Sequence, residues 1–543
     1  MKRILALVLA LALLASLGVT SAFAADDGFV DGRFTETRHI TVEIFQRPND
    51  GNSDPTDNPY ANYIKEKMLE KYNVEVEFVP VGRWTEVDDL NNLLSVNKAP
   101  DVSYTYSAPT IRTYAAMKVD ANGTPGVIDL APYLEEYKDY LGNLIAKVGG
   151  EEGLYYDKDP VTGNVWMIEG ALAENARINT FIRKDWLDKL NLPLPTTTEE
   201  FYNALVAFRD NAELLLGADA DKMIPYTTST DIGWRNDLLS ISFVADDISD
   251  ETLFVYGYDD RHILYPGYKE GIRTLNKWYN EGLIWKDFGQ YNDSTEEDNK
   301  MKAGFVGAFM HNWDYPFRGE ADSIESNLTR NVGEGAMYVA VDCFKNDAGI
   351  TKKFLAPLVG GDRKIFFPHT NKEPLASLLY LDFISSPETV YFLQTGLEGT
   401  TFEKKEDGSI TLINATGEWI KNSVNNIDYT MTTNGLTLGD EATYASYPGT
   451  DPAVVKDALT YAKTNARIAK HYNVGSISAE EDVGSSLNEK RNAFLTLAVT
   501  ASVEDFDKVF DEGLEDYMIS GGQDIIDERI QKLEEIYGIK YAE

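Results

Sequence analysis

From residue 39 to residue 80 the spacing of apolar positions changes twice. His39-Ile40-Thr41-Val42-Glu43-Ile44-Phe45 alternates apolar with polar, as a half-buried strand does. Within Asn62 to Tyr72, Ile64, Met68, Leu69 and Tyr72 then fall on one helical face. Val74-Glu75-Val76-Glu77-Phe78-Val79-Pro80 alternates again. A strand, a helix and a strand in that order predict a parallel pair joined by a right-handed crossover. Between the first strand and the helix, Gln46 to Pro59 is crowded with turn formers.

The same reading predicts a helix from Trp84 to Val96 and a turn into a short buried strand over Ala99 to Tyr104. Arg183 to Leu190 reads as a short amphipathic helix. A stronger helix follows Thr197, with Glu200 placed to close a capping box and Phe201, Leu205 and Phe208 on its apolar face. Near the end, Ile526, Ile530, Leu533 and Tyr537 recur at helical spacing within Asp524 to Gly538. There Glu528 and Lys532 are four apart and Gly538 suits a C-cap. The segment Asp26 to Arg33 is expected to be loose. Strands mixed with helices throughout, without repeats or a long linker, favour an α/β chain whose lobes it crosses more than once.

Only the first segment calls for an address. Lys2 and Arg3 precede an apolar stretch from Ile4 to Leu14, and Ala22-Phe23-Ala24 offers a small-x-small cleavage pattern. Residues 1–24 therefore read as an export signal, since a spanning helix needs roughly 20 apolar residues. Cleavage there leaves 48 Lys and Arg against 88 Asp and Glu, so the formal charge moves from -38 to -40. Such a surface repels nucleic acid and anionic headgroups, and no nucleic-acid partner is expected. Cys343 is the single cysteine, so intramolecular disulfides and cysteine-rich metal sites are excluded. It also lies far from the cleavage site, so lipid anchoring there is not expected.

Enzyme signatures are missing. The five histidines, His39, His262, His311, His369 and His471, form no close two-histidine metal spacing. There is no G-x-S-x-G elbow and no phosphate-binding glycine loop after a strand. No cofactor and no metal are expected. A polysaccharide-cleaving enzyme stays open, because two carboxylates distant in sequence can meet in a cleft.

Several stretches together resemble the extracellular solute-binding proteins of ABC importers, family 1, in the long LplA-type, lipoprotein-like group. They are Lys71-Tyr72-Asn73-Val74, Ala99-Pro100-Asp101-Val102, Ile182 to Leu190 with Pro195-Thr196-Thr197, and Glu281-Gly282-Leu283-Ile284. Further on come Lys300-Met301-Lys302-Ala303-Gly304, Leu381 to Ser385, Gly396 to Thr401 and Gly521 to Ile525. Their order covers nearly all of residues 40–540. The resemblance implies a two-lobe, periplasmic-binding-protein-like (type II) α/β fold with hinge-connected lobes and a C-terminal helical region. The division expected is residues 1–24 signal, 25–35 a flexible segment, and 36–543 the binding protein. Lobe 1 would take 36–165 and 300–375, and lobe 2 would take 166–299 and 376–543. A carbohydrate, an oligosaccharide by the family's size, would bind between the lobes and pass to the membrane subunits of an ABC permease. The protein would act as an extracellular or periplasmic monomer. Two departures stand out: the lipobox cysteine is absent, and Gly217 to Pro225 is too short and oxygen-poor for a calcium cage.

A sugar offers C–H faces that aromatic rings cover and hydroxyls that carboxylates, amides and arginine satisfy. Candidate ligand contacts lie where a strand gives way to a polar loop. Arg47 and Asn49 follow the first strand, and Arg47 could instead anchor its loop by an ion pair. Trp84 stands after a turn or packs at a helix start. Tyr104 and Tyr106 end a short strand and could form a stacking wall. Trp234 follows a loop of small polar residues. Asn312, Trp313 and Asp314 follow the apolar run Phe305 to Met310, with Trp313 as the stacking ring. Glu398, flanked by glycines, either meets a ligand or holds a turn. Trp186 and Trp278 read as core. Within binding, a peptide or another polar solute is the other ligand class, and a cell-surface scaffold would bind no small ligand.

Overall fold

The computed structural model describes residues 28–47, 53–83, 85–257, 262–291, 295–318, 323–355, 358–413, 416–447 and 449–541. The expected export segment, Asn49 and Trp84 lie outside them. Strand β1 (Arg38–Gln46), helix α1 (Pro59–Tyr72) and strand β2 (Val74–Gly82) follow the alternation, and β1 pairs parallel with β2 from Arg38↔Val74 to Gln46↔Gly82. The side chain of Asn58 caps α1 by accepting from the amides of Tyr60 and Ala61, and Asn73 ends it in the left-handed conformation. Helix α2 (Glu86–Ser95), strand β3 (Ser103–Thr105), helix α3 (Ala108–Ala116) and strand β4 (Ile168–Leu172) follow.

The chain then crosses to a second body. Strand β5 (Ile178–Arg183), helix α4 (Lys184–Lys189), helix α5 (Thr198–Asp210) and strand β6 (Ile224–Thr227) lead to two short helices, α6 (Ile232–Arg235) and α7 (Asp237–Ile241). Helix α8 (Tyr268–Asn280) and strands β7 (Val306–Asn312) and β8 (Tyr338–Val341) complete a sheet of order β8-β5-β7-β6. The chain returns in β9 (Val359–Phe366), helix α9 (Pro374–Ser385) and β10 (Thr433–Asn434), giving a first-body sheet of order β10-β4-β9-β3. It crosses once more into α10 (Ser478–Thr500), α11 (Phe506–Tyr517) and α12 (Gln523–Tyr537).

Two large hydrophobic cores correspond to these two bodies. One gathers buried residues from Phe34 to Ile168, from Ile365 to Leu393, and then Tyr429 and Met431. The other gathers Ile178 to Phe354 and Leu436 to Leu533, including Trp186 and Trp278. The division therefore differs from the sequence expectation. Residues 300–355 belong to the second core, because β7 and β8 pair with β5. Residues 376–431 belong to the first, where α9 packs against α1 and β1.

Three local expectations change. Residues 28–35 are not loose: Phe29–Val30 pairs antiparallel with Arg33–Phe34, and Phe34 is buried against Phe29, itself edge-on to Tyr140. At α5, Thr197 accepts from the Glu200 amide, yet the Glu200 carboxylate reaches one residue further back, to the amide and hydroxyl of Thr196, both 2.8 Å. Glu528 makes no ion pair with Lys532. It accepts from the amides of Ser478 at 2.9 Å and Ala479 at 2.8 Å, capping α10 from the neighbouring α12.

Burial leaves one acid in the second core with a testable signature. Glu325 accepts from the Tyr338 amide at 2.6 Å, and burial lifts its carboxyl to about 8, with that hydrogen bond and Arg183 opposing. A raised folded value gives stability that is complete below the ordinary 4.5 and is lost as pH rises through about 8. Glu325→Gln keeps an acceptor for Tyr338 and removes this titration. Urea unfolding of the variant should show a flatter dependence of stability on pH across that window than the parent chain.

Candidate functional site

The short helix α6 presents Trp234 because its ends are tied down. Ile232 is buried, and Arg235, 3% exposed, grips Glu297 with both guanidinium arms at 2.8 and 2.6 Å and donates to the Met310 carbonyl at 2.7 Å. Asn236 adds bonds to the Thr228 hydroxyl and the Ile232 carbonyl. Between these anchors Trp234 stays half-buried, its ring edge-on to His311 at 4.9 Å. His311 stacks on Tyr315 and accepts from the Asn312 amide at 2.8 Å. Burial, helped by Arg235 and Arg318, pushes the His311 imidazole well below its usual value, so it is neutral.

Trp234 stands at a cavity of about 230 Å³, where Arg177, Asp231, Tyr268, Asn488 and Arg491 also meet. Arg177 lies on the passage from β4 to β5, where the chain moves from the first core to the second. Its carbonyl accepts from the Trp313 amide at 3.0 Å. The predicted Asn312-Trp313-Asp314 stretch and Trp234 are thus brought together through Arg177 and His311. Asn312 and Trp313 are half-buried, and the Trp313 ring is edge-on to Tyr447. Asp314 faces inward: it accepts from Arg318 at 3.0 Å and from the Tyr447 hydroxyl at 3.1 Å, which ties β7 to the segment before residue 450.

On the first core the ends of β1, β2 and β3 converge. Tyr106 is half-buried, stacked over Phe45, with the Arg83 guanidinium 4.6 Å above its ring. Tyr104 does not join it as a wall. Its side chain is fully buried against Phe45 at 4.5 Å and its hydroxyl accepts from the Phe45 amide, leaving no face for a ligand. Arg47 makes the loop-anchoring pair, donating to both oxygens of the buried Asp428 at 2.8 and 3.1 Å. Glu398 is exposed on a turn that the Thr401 hydroxyl closes by donating to the Leu397 carbonyl, and no residue of the Trp234 cavity touches it.

The two cores meet through α3 and α10, the helix that carries Asn488 and Arg491. Nearby, Tyr156 stacks on His471 at 4.1 Å, and the Asn473 amide group donates to the Lys158 carbonyl at 2.7 Å. Behind this contact sits a buried carboxyl pair. Burial holds Glu169 well above the usual carboxylate range, against Lys364 and reinforced by Asp157. Asp157 is pushed up by burial but lowered more by its bond with Glu169 and by Arg112, so it stays ionised and Glu169 keeps the proton. The sequence reading missed Arg177, Asn488 and Arg491. They come from two stretches some three hundred residues apart, and only the flanking of Trp234 by Asp231 and Asp237 left a local signal.

Arg47→Ala would leave Asp428 buried without its cation, a loss of about 3 kcal/mol for a buried pair. Urea unfolding should show a destabilisation of that size. A role confined to ligand contact would leave stability unchanged.

No family model matches the chain. It is 25% identical to the lipoprotein LipO of Bacillus subtilis over 64% of this chain and 65% of LipO. It is 24% identical to the polygalacturonan/rhamnogalacturonan-binding protein YtcQ of the same organism, over 64% of each. The chain thus spans just under two thirds of the length of these curated relatives. Among solved structures, the alginate-binding protein AlgQ2 superposes with a TM-score of 0.64 at 16% identity, over 94% of this chain and 99% of that one. The ABC-transporter substrate-binding protein FusA of S. pneumoniae, in complex with kestose, gives 0.63 at 15% over 92% and 99%. The chain shares the fold of these solved binding proteins, and its sequence is similar to LipO and YtcQ. Among the described residues no helix is long and apolar enough to cross a membrane.

Proposed function

We propose that this chain is the extracytoplasmic, substrate-binding component of an ABC importer and that it captures an oligosaccharide between its two cores. The observation that carries this reading is Trp234, half-exposed in a polar cavity beside the passage between the cores. An aromatic ring beside convergent carboxylate, amide and guanidinium groups matches the two needs of a sugar, cover for its C–H face and partners for its hydroxyls. Tyr106 under Arg83 supplies a second ring on the first core. The binding-protein fold and the curated relatives support the same reading, and binding rather than catalysis is the activity proposed.

In this scheme the two cores are the two lobes, and the passages near residues 172–178 and 434–436 belong to the hinge. Ligand held by one lobe favours the arrangement in which the other also touches it, and a permease recognises that arrangement. The chain works as an exported monomer.

A thermal-shift screen of the protein against neutral and acidic oligosaccharides tests the proposal. A ligand that binds only the folded state adds about 2.7 kcal/mol at one hundred times its dissociation constant, so a true ligand raises the melting temperature in proportion to its concentration. The glycan should be recovered uncut. A cleaved product would replace the proposal with an enzyme, and no shift with any glycan would end it. Trp234→Ala should weaken the best ligand at least about tenfold, equal to about 1.4 kcal/mol, with little change in melting temperature without ligand.

A further inference from the structure

A second cavity, of about 220 Å³, opens on the second core and shares no residue with the one at Trp234. It lies where β8 begins: Tyr338 pairs with Arg183, at the end of β5 away from Ile178 and its partner Asn312. Thr329, Glu334 and Gly335 are exposed at its rim, while Glu325 is 7% exposed. Gly335 and Gly449 both take a positive φ, and a Cβ at either would meet nothing within 4 Å, so the mouth stands open.

Two polar groups at this cavity are incompletely matched. Glu325, in the helix Ile324–Val332, accepts from the Tyr338 amide with one carboxyl oxygen, and its other oxygen has no hydrogen-bond partner among the described residues. The Thr450 hydroxyl oxygen is buried without a partner as well. Unmatched polar atoms collected in one cavity point to a guest. No basic side chain lines it. Arg183 and Asp185 act on Glu325 from the sheet, where Arg183 is already bonded to Asp185 and the Gly304 carbonyl, and the Tyr338 hydroxyl is turned to the Val306 carbonyl.

The lining decides the charge of the guest. An anion would be repelled by Glu334, and the helix Pro452–Lys463, which reaches the cavity at Val454, offers no compensation. Its first amides, those of Ala453, Val454 and Val455, are already taken by the side chain and carbonyl of Asp451. A metal ion needs several oxygens converging to within about 2.6 Å, and no three histidine, cysteine or acidic side chains gather so among the described residues. A neutral guest gains nothing from the Glu334 charge. The guest that fits is cationic, donates several hydrogen bonds and fills more room than an ion, which describes an ammonium group on a short carbon chain.

We propose that this cavity binds a small primary ammonium compound, its N–H groups donating to Glu325, Glu334 and the Thr450 hydroxyl while its carbon chain lies against Met337 and Val454. The site stands apart from the glycan-binding reading and does not depend on it. Binding carries a proton count. Burial lifts the Glu325 carboxyl to about 8, so at neutral pH it is mostly protonated, and a cation beside it favours the charged form. Glu325 then passes its proton to solvent as the ammonium enters.

The test is calorimetric titration of the full chain with n-butylammonium at neutral pH, in two buffers of different ionisation enthalpy, with n-butanol as the uncharged counterpart. One butylammonium should bind per chain and release close to one proton. Affinity should rise about tenfold per pH unit below about 8 and level off above it. Glu325→Gln should abolish the proton release and weaken binding about tenfold or more, the range for a hydrogen bond to a charged group. The proton count of the parent chain decides the matter if that variant fails to fold. Binding without proton release, or binding that Glu325→Gln leaves unchanged, is diffuse attraction to the acidic surface and overturns the site. Equal binding of butanol, or no binding of butylammonium, overturns it too, and none of these outcomes bears on glycan capture.

Discussion

Arg363 is fully buried where the chain comes back to its first core, and its guanidinium holds together strands that lie far apart in sequence. It bonds to Asp362 at 3.2 Å and donates to the carbonyls of Ile427 and Thr433. Asp362 in turn accepts from the Asn434 amide group at 2.9 Å. A buried guanidinium is tolerated only when its donors are matched and its charge is met. Here the matching groups belong to the strand that opens the last passage to the second core. The edge of the β10-β4-β9-β3 sheet and the take-off point of that passage are therefore one electrostatic unit. A first lobe without this unit would have no fixed direction in which to send the chain across.

The same economy recurs in the second core. Arg235 with Glu297 fixes α6, Arg318 with Asp314 fixes the end of β7, and Arg183 bonds Asp185 and the Gly304 carbonyl beneath the sheet. These arginines are engaged inside, while most of the excess acid lies on the surface. The negative charge thus bears on solubility and on which polymers approach.

Alternation and helical spacing revealed the first parallel pair, the apolar faces of α1, α5 and α12, and the core positions of Trp186 and Trp278. These signals are local, and burial of a stripe or a face enforces them. The assignment of segments to lobes was not local. Residues 300–355 and 376–431 exchanged places because strand partners, and not periodicity, decide which core a segment joins. Site residues divided the same way. Trp234 and Tyr106, which the structure leaves half-buried, stood out in the sequence because a ring at the end of a strand or loop has few reasons to be there. Tyr104 has the same setting in sequence, and only the pleat turns it inward. Arg491 carried no sign of its place at the cavity, since a stretch more than two hundred residues further along the chain than Trp234 brings it there.

The cap that Glu528 places on α10 ties two distant fortunes together. That helix begins in the grip of the chain's last helix and further along presents Asn488 and Arg491 to the cavity. Fraying of the C-terminus frees the first amides of α10 and loosens the wall at its other turns. Under the proposed function, a ligand seated against that wall draws on the order of the helix Gln523–Tyr537, so the filled protein should exchange that helix's amide hydrogens more slowly than the empty one.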